Sequence, residues 1–439
     1  MTIRFDLAKQ YGKFKPLNAT NGGPWYKRHA ADQFRSNFED YKAARIPYSR
    51  NHDSNASGVY GGPFAHDVSV IFPRFEADPC DPASYDFACT DEAILACLDA
   101  GTQTFFRLGE TIEHQIKKHH TLPPADFKKW AVVCEHIIRH YNEGWADGLH
   151  LGIKYWEIWN EPDLDHDDSP NKRTWGGTEA QFHDFFETAA KHLKSCFPDL
   201  NIGGPASAGN HGWVERFLCE MQKRNVPLDF LSWHIYCVEP EQMLRSAYAF
   251  RAIMDKYGYE KAESICNEWN YVADWGRDYV ESLKVIHGAK GAAFTMGCIA
   301  LSQSAPVDML MYYDTRPSVF CGAFDFYTYE TLPGYYPLYW FGMLYGCTEV
   351  RAEEPVENIY TLCGVDENGL VTAIITHYSN RTEVENKKIA LDFGKKDGKY
   401  DVYLLDENKK GELVESGTDR LEFDMKVCSC ILVKERPER

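Results

Sequence analysis

Between about residues 15 and 345, apolar runs that end in polar residues alternate with segments whose apolar residues recur every three or four positions. The runs predict strands buried on both faces, and the recurring pattern predicts amphipathic helices. The clearest helix covers residues 124–142, and further helices are predicted at 182–197 and 280–302. The predicted strands are 45–50, 102–108, 154–159, 201–204, 230–236, 264–268 and 309–313.

This regular alternation predicts a parallel sheet covered by helices, which is an α/β fold. Seven or eight βα units over residues 15–345 fit a closed (β/α)8 TIM barrel better than an open sheet. The open sheet is also disfavoured because no glycine-rich nucleotide fingerprint follows the first strand.

The pattern changes after about Gly346, where short alternating runs are separated by turn-forming residues. Residues 346–439 are therefore predicted to form a small antiparallel, sandwich-like β domain. Residues 1–14 are predicted to contribute a strand to it through the run 2–8. The predicted strands of this domain are 371–377, 388–393, 400–405, 421–423 and 428–434.

Composition narrows the choice of partners and of compartment. With 47 Lys plus Arg against 65 Asp plus Glu, the net charge is −18, which disfavours nucleic acid and anionic membranes. No apolar run is long enough for a membrane span, and the first residues lack the apolar centre of a signal peptide. The 14 scattered cysteines are expected to be reduced thiols of a cytoplasmic protein. The sequence is also compatible with a homo-oligomer.

Two predicted strands end in a glutamate. The strand at 154–159 leads to Glu161, and Pro162 cannot continue a central strand, so the glutamate is expected at the barrel rim. Glu268 closes the strand 264–268 in the same way. Barrel enzymes carry their reactive groups at this C-terminal end. Two carboxylates that face one cleft are the groups that glycoside hydrolysis requires.

The residues around these glutamates resemble those of glycoside hydrolase family 39 of clan A, which includes β-xylosidases and α-L-iduronidases. The two strongest motifs are residues 155–163, Tyr-Trp-Glu-Ile-Trp-Asn-Glu-Pro-Asp, and residues 267–270, Asn-Glu-Trp-Asn. The resemblance covers most of residues 15–345, and a trailing β domain is expected in that family. Weaker motifs follow in matching order: Asn21-Gly-Gly-Pro24, residues 46–53, Leu108-Gly-Glu110, Gly203-Gly-Pro205 and Ser232-Trp-His-Ile-Tyr236.

The resemblance implies that Glu161 is the acid/base, that Glu268 is the nucleophile and that the anomeric configuration is retained. It also implies that Asn160 binds the sugar 2-hydroxyl. The carboxyl groups of the two glutamates are then expected about 5–5.5 Å apart. The other residues expected at the substrate are His52, His234, Tyr236, Trp269 and Tyr313.

The eighth strand departs from the family. Family xylosidases tend to have Tyr-Trp-x-x-Ser-Asp where this chain has Tyr-Tyr-Asp-Thr-Arg-Pro at residues 312–317, which leaves the sugar open. The preferred prediction is a retaining exo-glycosidase of short neutral β-glycosides, similar to a β-xylosidase and needing no cofactor or metal. One alternative is a uronic-acid or arabinose glycosidase, in which Arg316 or Arg277 would bind a sugar carboxylate. Another is a catalytically inactive carbohydrate-binding barrel.

Other polar clusters favour simpler interpretations. His136 and His140 have the spacing of a helical metal pair, but both are expected on the polar edge of their helix. Residues 163–168 are expected to be solvated, because they lack the glycine and closing glutamate of a calcium loop. Three aromatic residues that follow rim strands are equally compatible with sugar platforms or core packing: Trp175, Trp275 and Phe320.

Overall fold

The computed structural model describes residues 1–26, 36–53 and 64–437. Its first strand, β1 (Thr2–Lys13), belongs to the C-terminal sheet, and the next eight strands close into a parallel barrel. This confirms the predicted α/β barrel, with each predicted strand in place. The barrel strands are β2 (Ala19–Asn21), β3 (Tyr48–Arg50), β4 (Gln103–Leu108), β5 (Tyr155–Ile158), β6 (Asn201–Ser207), β7 (Phe230–Cys237), β8 (Glu263–Tyr271) and β9 (Met309–Tyr312).

The barrel interior is apolar at its floor and polar above. The floor is a buried cluster that includes Phe105, Tyr155 and Ile265. Two residues further along the same strands, Glu157 and Asn267 point into the interior and hydrogen-bond each other. Because strand side chains alternate, this polar layer lies directly between the apolar floor and the rim.

Helices cover the barrel. Helix α4 begins after Asp126, whose carboxylate accepts hydrogen bonds from the backbone of Lys128 and Lys129, and it ends at Gly144 in the left-handed conformation. The helices are α1 (Phe38–Ala43), α2 (Val68–Ile71), α3 (Ala88–Asp99), α4 (Phe127–Glu143), α5 (Glu179–Cys196), α6 (His211–Lys223), α7 (Pro240–Lys256), α8 (Tyr279–Ile286), α9 (Ala289–Ser304) and α10 (Tyr335–Gly342), with a 3-10 turn at Pro82–Ser84.

Two predictions about the helices are wrong. The helix predicted at 280–302 is divided into α8 and α9, because Gly288 takes an extended conformation between them. His140 is buried rather than on a polar edge: its ring stacks on Phe87 at 3.5 Å, and its Nε2 lies 3.1 Å from Asp91. His136 bonds through Nδ1 to the carbonyl of Val132, so the two imidazoles serve packing and helix geometry.

The C-terminal sheet has nine strands in the order β15-β14-β17-β12-β11-β10-β1-β13-β16. The pairings are antiparallel except that of β1 with β13. Val402 of β14 and Ile389 of β13 share one core although their strands are far apart in the sheet, so the sheet curls over itself. The strands are β10 (Thr348–Ala352), β11 (Ile359–Val365), β12 (Val371–His377), β13 (Lys387–Asp392), β14 (Tyr400–Leu405), β15 (Lys410–Thr418), β16 (Glu422–Met425) and β17 (Ser429–Glu435).

The sequence pattern missed β10, β11 and β15. Strand β15 lies at the edge of the sheet and is largely exposed, so its polar sequence carries little strand signal. In the described part of the chain no single helix has the length and apolarity to cross a membrane; α8 and α9 meet that test only together, across a bend of 79°.

Candidate active site

Glu161 lies in a strained turn directly after β5. Its φ angle is +48° and that of Trp159 is +74°, in the left-handed region that non-glycine residues rarely adopt. Two backbone hydrogen bonds hold the turn: Trp159 N–H donates to Leu108, and Glu161 N–H donates to Ala206. Such strain persists where surrounding contacts over-determine it, and it is common at functional sites.

The glycines before Ala206 let β6 approach this turn. A Cβ atom on Gly204, whose φ is +139°, would lie 2.7 Å from the carbonyl oxygen of Ile158. A Cβ atom on Gly203 would lie 2.3 Å from the carbonyl oxygen of Phe230. The motif Gly203-Gly-Pro205 therefore brings the Ala206 carbonyl within reach of Glu161.

Glu268 faces Glu161 across the barrel mouth. An oxygen of each carboxylate and Nδ1 of His234 all lie within 4.8 Å of one another. His234 Nδ1 is 2.8 Å from Glu161 Oε1 and 3.7 Å from Glu268 Oε2. Tyr236 donates its hydroxyl hydrogen to Glu268 Oε1 at 2.6 Å. This approach of the carboxylate oxygens is compatible with the ~5–5.5 Å between the carboxyl groups of retaining enzymes.

Arg50 connects both rim strands to the polar layer below. Its fully buried guanidinium donates to Glu268 at 3.2 Å, to Glu157 at 2.7 Å and to Asn160 Oδ1 at 2.6 Å. Arg50 forms ion pairs with Glu157 in the polar layer and with Glu268 at the rim. The planar guanidinium of Arg50 thus sets the positions of several side chains at once.

The two carboxyl groups have different electrostatic surroundings. Burial, reinforced by the charge of Asp163, raises the pKa of Glu161 to about 8. Burial also raises the pKa of Glu268, but His234, Arg50 and the Tyr236 hydroxyl oppose it. Burial lowers the pKa of His234 to about 4, so its imidazole is neutral near pH 7. At that pH Glu161 is mainly protonated and His234 carries no charge, so Arg50 and the Tyr236 hydroxyl favour the ionised form of Glu268.

Two further predicted residues have free polar atoms at this site. Asn160 Nδ2 is buried and has no hydrogen-bond partner among the described residues, while its Oδ1 accepts from Arg50. Neither ring nitrogen of buried His52 makes a hydrogen bond within the described chain, although Nε2 lies 3.4 Å from Asp53. Such atoms are poised for a ligand hydroxyl, because an unpaired buried polar group is costly.

Tyr313 lies at the end of the eighth barrel strand. Its hydroxyl donates to Asp53 Oδ2 at 3.1 Å, and Arg316 bonds the backbone carbonyl of Asp53. Arg316 also pairs with buried Asp314 at 3.1 Å. Both aspartates raise the pKa of Arg316, so its charge is already matched by carboxylates of the protein.

Trp269 is not at the substrate side of the barrel. Its fully buried ring packs against Phe294 of α9 and Tyr312. The pairing of β7 with β8 is irregular at Asn267, so Asn267 and Glu268 both face the interior and the next residue, Trp269, faces the helices. Trp159 likewise packs outward, against Trp130. The prediction that Trp269 contacts the sugar is corrected by this orientation.

The three candidate sugar platforms have different positions. Trp175 is buried against Trp159 and Phe182, so it belongs to the core. Phe320 is 9% exposed and Trp275 is 59% exposed, and the two rings lie 6.0 Å apart beside Tyr236.

Sequence reasoning missed functions for Glu157 and Asp163. The alternation of β5 indicates an inward-facing Glu157, but only the fold brings it to Arg50. Asp163, predicted to be solvated, accepts from the Ser207 hydroxyl at 2.6 Å and from the Ala208 backbone at 2.8 Å. Asp165 accepts hydrogen bonds from the backbone and the guanidinium of Arg173, so hydrogen-bond donors of the protein hold the acidic loop.

Known proteins are similar to this chain in sequence and in fold. Two curated β-xylosidases are similar over about 180 residues: that of Geobacillus stearothermophilus is 28% identical over 38% of this chain and 33% of its own length, and that of Caldicellulosiruptor saccharolyticus is 27% identical over 39% and 34%. The match thus spans about a third of each relative.

Among solved structures, a glucosidase from Croceicoccus marinus superposes with a TM-score of 0.81 at 21% identity, covering 100% of this chain and 99% of that one. A monomeric β-xylosidase from Caulobacter crescentus gives 0.71 at 14% identity, covering 100% of both chains. These likenesses establish the fold. The sequence profile described as Glycosyl hydrolases family 39 matches residues 26–274, more than half of the chain. The protein therefore belongs to glycosyl hydrolases family 39.

Proposed function

We propose that the protein is a retaining exo-glycosidase that hydrolyses short neutral β-glycosides, with a β-xyloside as the preferred substrate. The observation that carries this proposal is the close pair of Glu161 and Glu268, of which one is mainly protonated and the other is surrounded by groups that favour its anion. That combination supplies an acid and a nucleophile from two residues of the same type.

In the first step, Glu268 attacks the anomeric carbon while Glu161 donates its proton to the leaving oxygen. A covalent glycosyl ester forms at Glu268, and the alcohol departs. The free Nδ2 of Asn160 is available to donate to the sugar 2-hydroxyl, where a hydrogen bond strengthens in the transition state. Arg50 and Tyr236 disperse the charge of the carboxylate before attack and after its release.

In the second step, Glu161 is a carboxylate and takes a proton from water, which attacks the anomeric carbon from the face that the alcohol left. The bond between that carbon and Glu268 breaks, and the Glu268 carboxylate is released. Two displacements restore the original anomeric configuration. His234 stays neutral, so it holds Glu161 in place without adding a competing positive charge.

The charges at the site favour a neutral sugar. Arg316 is the cation that a uronate could use at the eighth strand, but Asp314 and the backbone carbonyl of Asp53 already engage it. A sugar carboxylate bound at Arg316 would also approach the side chains of Asp53 and Asp314. The uronic-acid alternative is therefore disfavoured, and the curated β-xylosidase relatives support xylose over arabinose. A catalytically inactive barrel is disfavoured because both carboxylates and their supporting donors are in place.

Cysteine burial supports the prediction of a reducing, cytoplasmic environment. Most of the 14 cysteines in the sequence are buried, among them Cys266 and Cys298. Burial raises the pKa of both thiols, which keeps them protonated and inert. A short oligosaccharide is the substrate expected in that compartment.

A panel of p-nitrophenyl glycosides tests the proposal. It contains β-xyloside, β-glucoside, α-L-arabinofuranoside, β-glucuronide and α-L-iduronide. We expect the highest kcat/KM for the β-xyloside, and ¹H NMR should show the β-anomer of xylose as the first product. An α-anomer would refute retention, and preference for a uronide would refute the prediction of a neutral sugar. If no member is hydrolysed and Glu161→Gln is indistinguishable from the parent, the proposal of a glycosidase is refuted.

A further inference from the structure

An exposed aromatic residue lies at the mouth of the barrel, one ring away from the reacting carboxylates. Trp275 follows β8 and is 59% exposed, whereas the other tryptophans in the described ranges are buried or half-buried. Its ring is 4.8 Å from that of Tyr236, and Tyr236 bonds Glu268. Singly exposed hydrophobic residues are common on protein surfaces, so the position of this indole beside Tyr236, and not its exposure alone, makes it a candidate contact for a ligand.

The loop that carries Trp275 is held from both sides. The Ala273 backbone donates to the Ser282 hydroxyl at 3.0 Å, and the Asp278 backbone donates to Asp274 at 3.3 Å. Trp275 itself is stacked near Tyr279, with ring centroids 5.8 Å apart and planes at 21°. The indole is thus positioned before any ligand arrives, which lowers the entropic cost of binding on it.

Trp275 and its neighbours form a wall that runs from the rim into the site. Phe320 lies 6.0 Å from both Trp275 and Tyr236, and Tyr313 lies 5.7 Å from Phe320. With the sugar that is cleaved off between Glu161 and Glu268, the exposed end of this wall is the part open to a leaving group that extends towards solvent.

We propose that Trp275 is the platform for the leaving sugar, taking the apolar face of a neutral pyranose ring on its indole. This inference rests on the proposed function. Aromatic faces hold such rings by dispersion and burial, without needing charge. It would make Trp275 a residue that selects oligosaccharides over glycosides with a small leaving group.

Three substrates with different leaving groups test this. β-1,4-Xylobiose places a sugar on the platform, p-nitrophenyl β-xyloside places an aryl ring there, and β-xylosyl fluoride places neither. For Trp275→Ala we expect kcat/KM on xylobiose to fall about tenfold or more, as expected for a lost stacking contact, with the fluoride within about twofold. Trp275→Phe should restore most of the loss. Tyr248→Ala, an exposed aromatic of α7, is the matched control and should change neither rate.

The outcomes separate this inference from the proposed function. Equal losses on xylobiose and on the fluoride would overturn it, because Trp275 would then act on the inner site. Loss on the aryl glycoside alone, or on no substrate, would overturn the assignment of a sugar. If the parent enzyme prefers glucosides, cellobiose and β-glucosyl fluoride replace the xylose pair. If the parent hydrolyses nothing, calorimetry should compare the binding of xylobiose to the parent and to Trp275→Ala. Weaker binding to the variant would support the platform, and equal binding would overturn it.

Discussion

The Tyr236 hydroxyl donates to Glu268 Oε1 at 2.6 Å from the neighbouring strand of the barrel. Both groups are at the C-terminal rim, where β7 and β8 are paired in parallel. The tyrosine therefore stabilises the anion of Glu268.

Tyr236→Phe should lower kcat/KM by about 10–100-fold, the usual worth of a hydrogen bond to a charged group. The hydroxyl favours ionised Glu268, so its loss should raise the pKa of that carboxyl and move the acidic limb of the pH profile to higher pH. Rates of p-nitrophenol release from pH 4 to 9 would show this. An unmoved acidic limb would mean that the bond is merely structural.

The alkaline limb of kcat/KM should lie near pH 8, where Glu161 loses its proton. The charge of Asp163 contributes to that value, so Asp163→Asn should lower the pKa of Glu161 and move the limb to lower pH. The asparagine oxygen can still accept from the Ala208 backbone, which preserves the loop. Asp167→Asn, in the same loop but exposed, should leave the profile unchanged.

Azide rescue should assign the two glutamates. Glu268→Gly removes the covalent path, so activity should fall by several orders of magnitude, and azide in the cavity should give a glycosyl azide of inverted configuration. Glu161→Ala should keep fast glycosylation by dinitrophenyl glycosides but slow deglycosylation, with azide giving the retained product. The opposite pair of configurations, read by NMR, would show that the roles are exchanged.

Breaking the buried pair of Arg50 and Glu157 should destabilise the fold. Glu157→Ala leaves the guanidinium without its 2.7 Å partner, and such losses cost about 3–5 kcal/mol of the free energy of unfolding. Urea denaturation followed by tryptophan fluorescence measures it. Glu281→Ala removes an exposed pair with Lys284 and should cost less than about 1 kcal/mol. Equal losses of unfolding free energy in the two variants would refute the prediction that the Arg50–Glu157 pair stabilises the fold more than the exposed pair does.

Activity should survive both a chelator and a reducing agent, because the proposed chemistry uses only carboxylates. Dialysis against EDTA, followed by assay with and without added zinc or calcium, is the measurement. Loss that is restored by one ion would contradict the proposal and would direct attention to Glu161, His234 and Glu268, whose ligand atoms are close enough to share a cation.

The sequence alone determined the barrel, the β domain and the two glutamates, because these depend on local patterns. Strand and helix periods are properties of short segments. Glu161 and Glu268 could be selected from many acidic residues since each follows an apolar run in the sequence, and barrel strands share one rim. The structure shows that β5 already ends at Ile158 and that β8 continues past Glu268 to Tyr271.

Tertiary structure alone decided which side chains meet. Trp269 has the sequence context of a sugar contact, yet the irregular pairing of β8 at Asn267 turns it towards α9. Asp163 has the context of a solvated loop, yet the approach of β6 brings Ser207 to it and thereby places its charge beside Glu161. Trp175 and Trp275 both follow rim strands, but only packing leaves one buried and the other exposed. Ser207 and Asp163, for example, are 44 positions apart, and no local pattern encodes the distance between such residues.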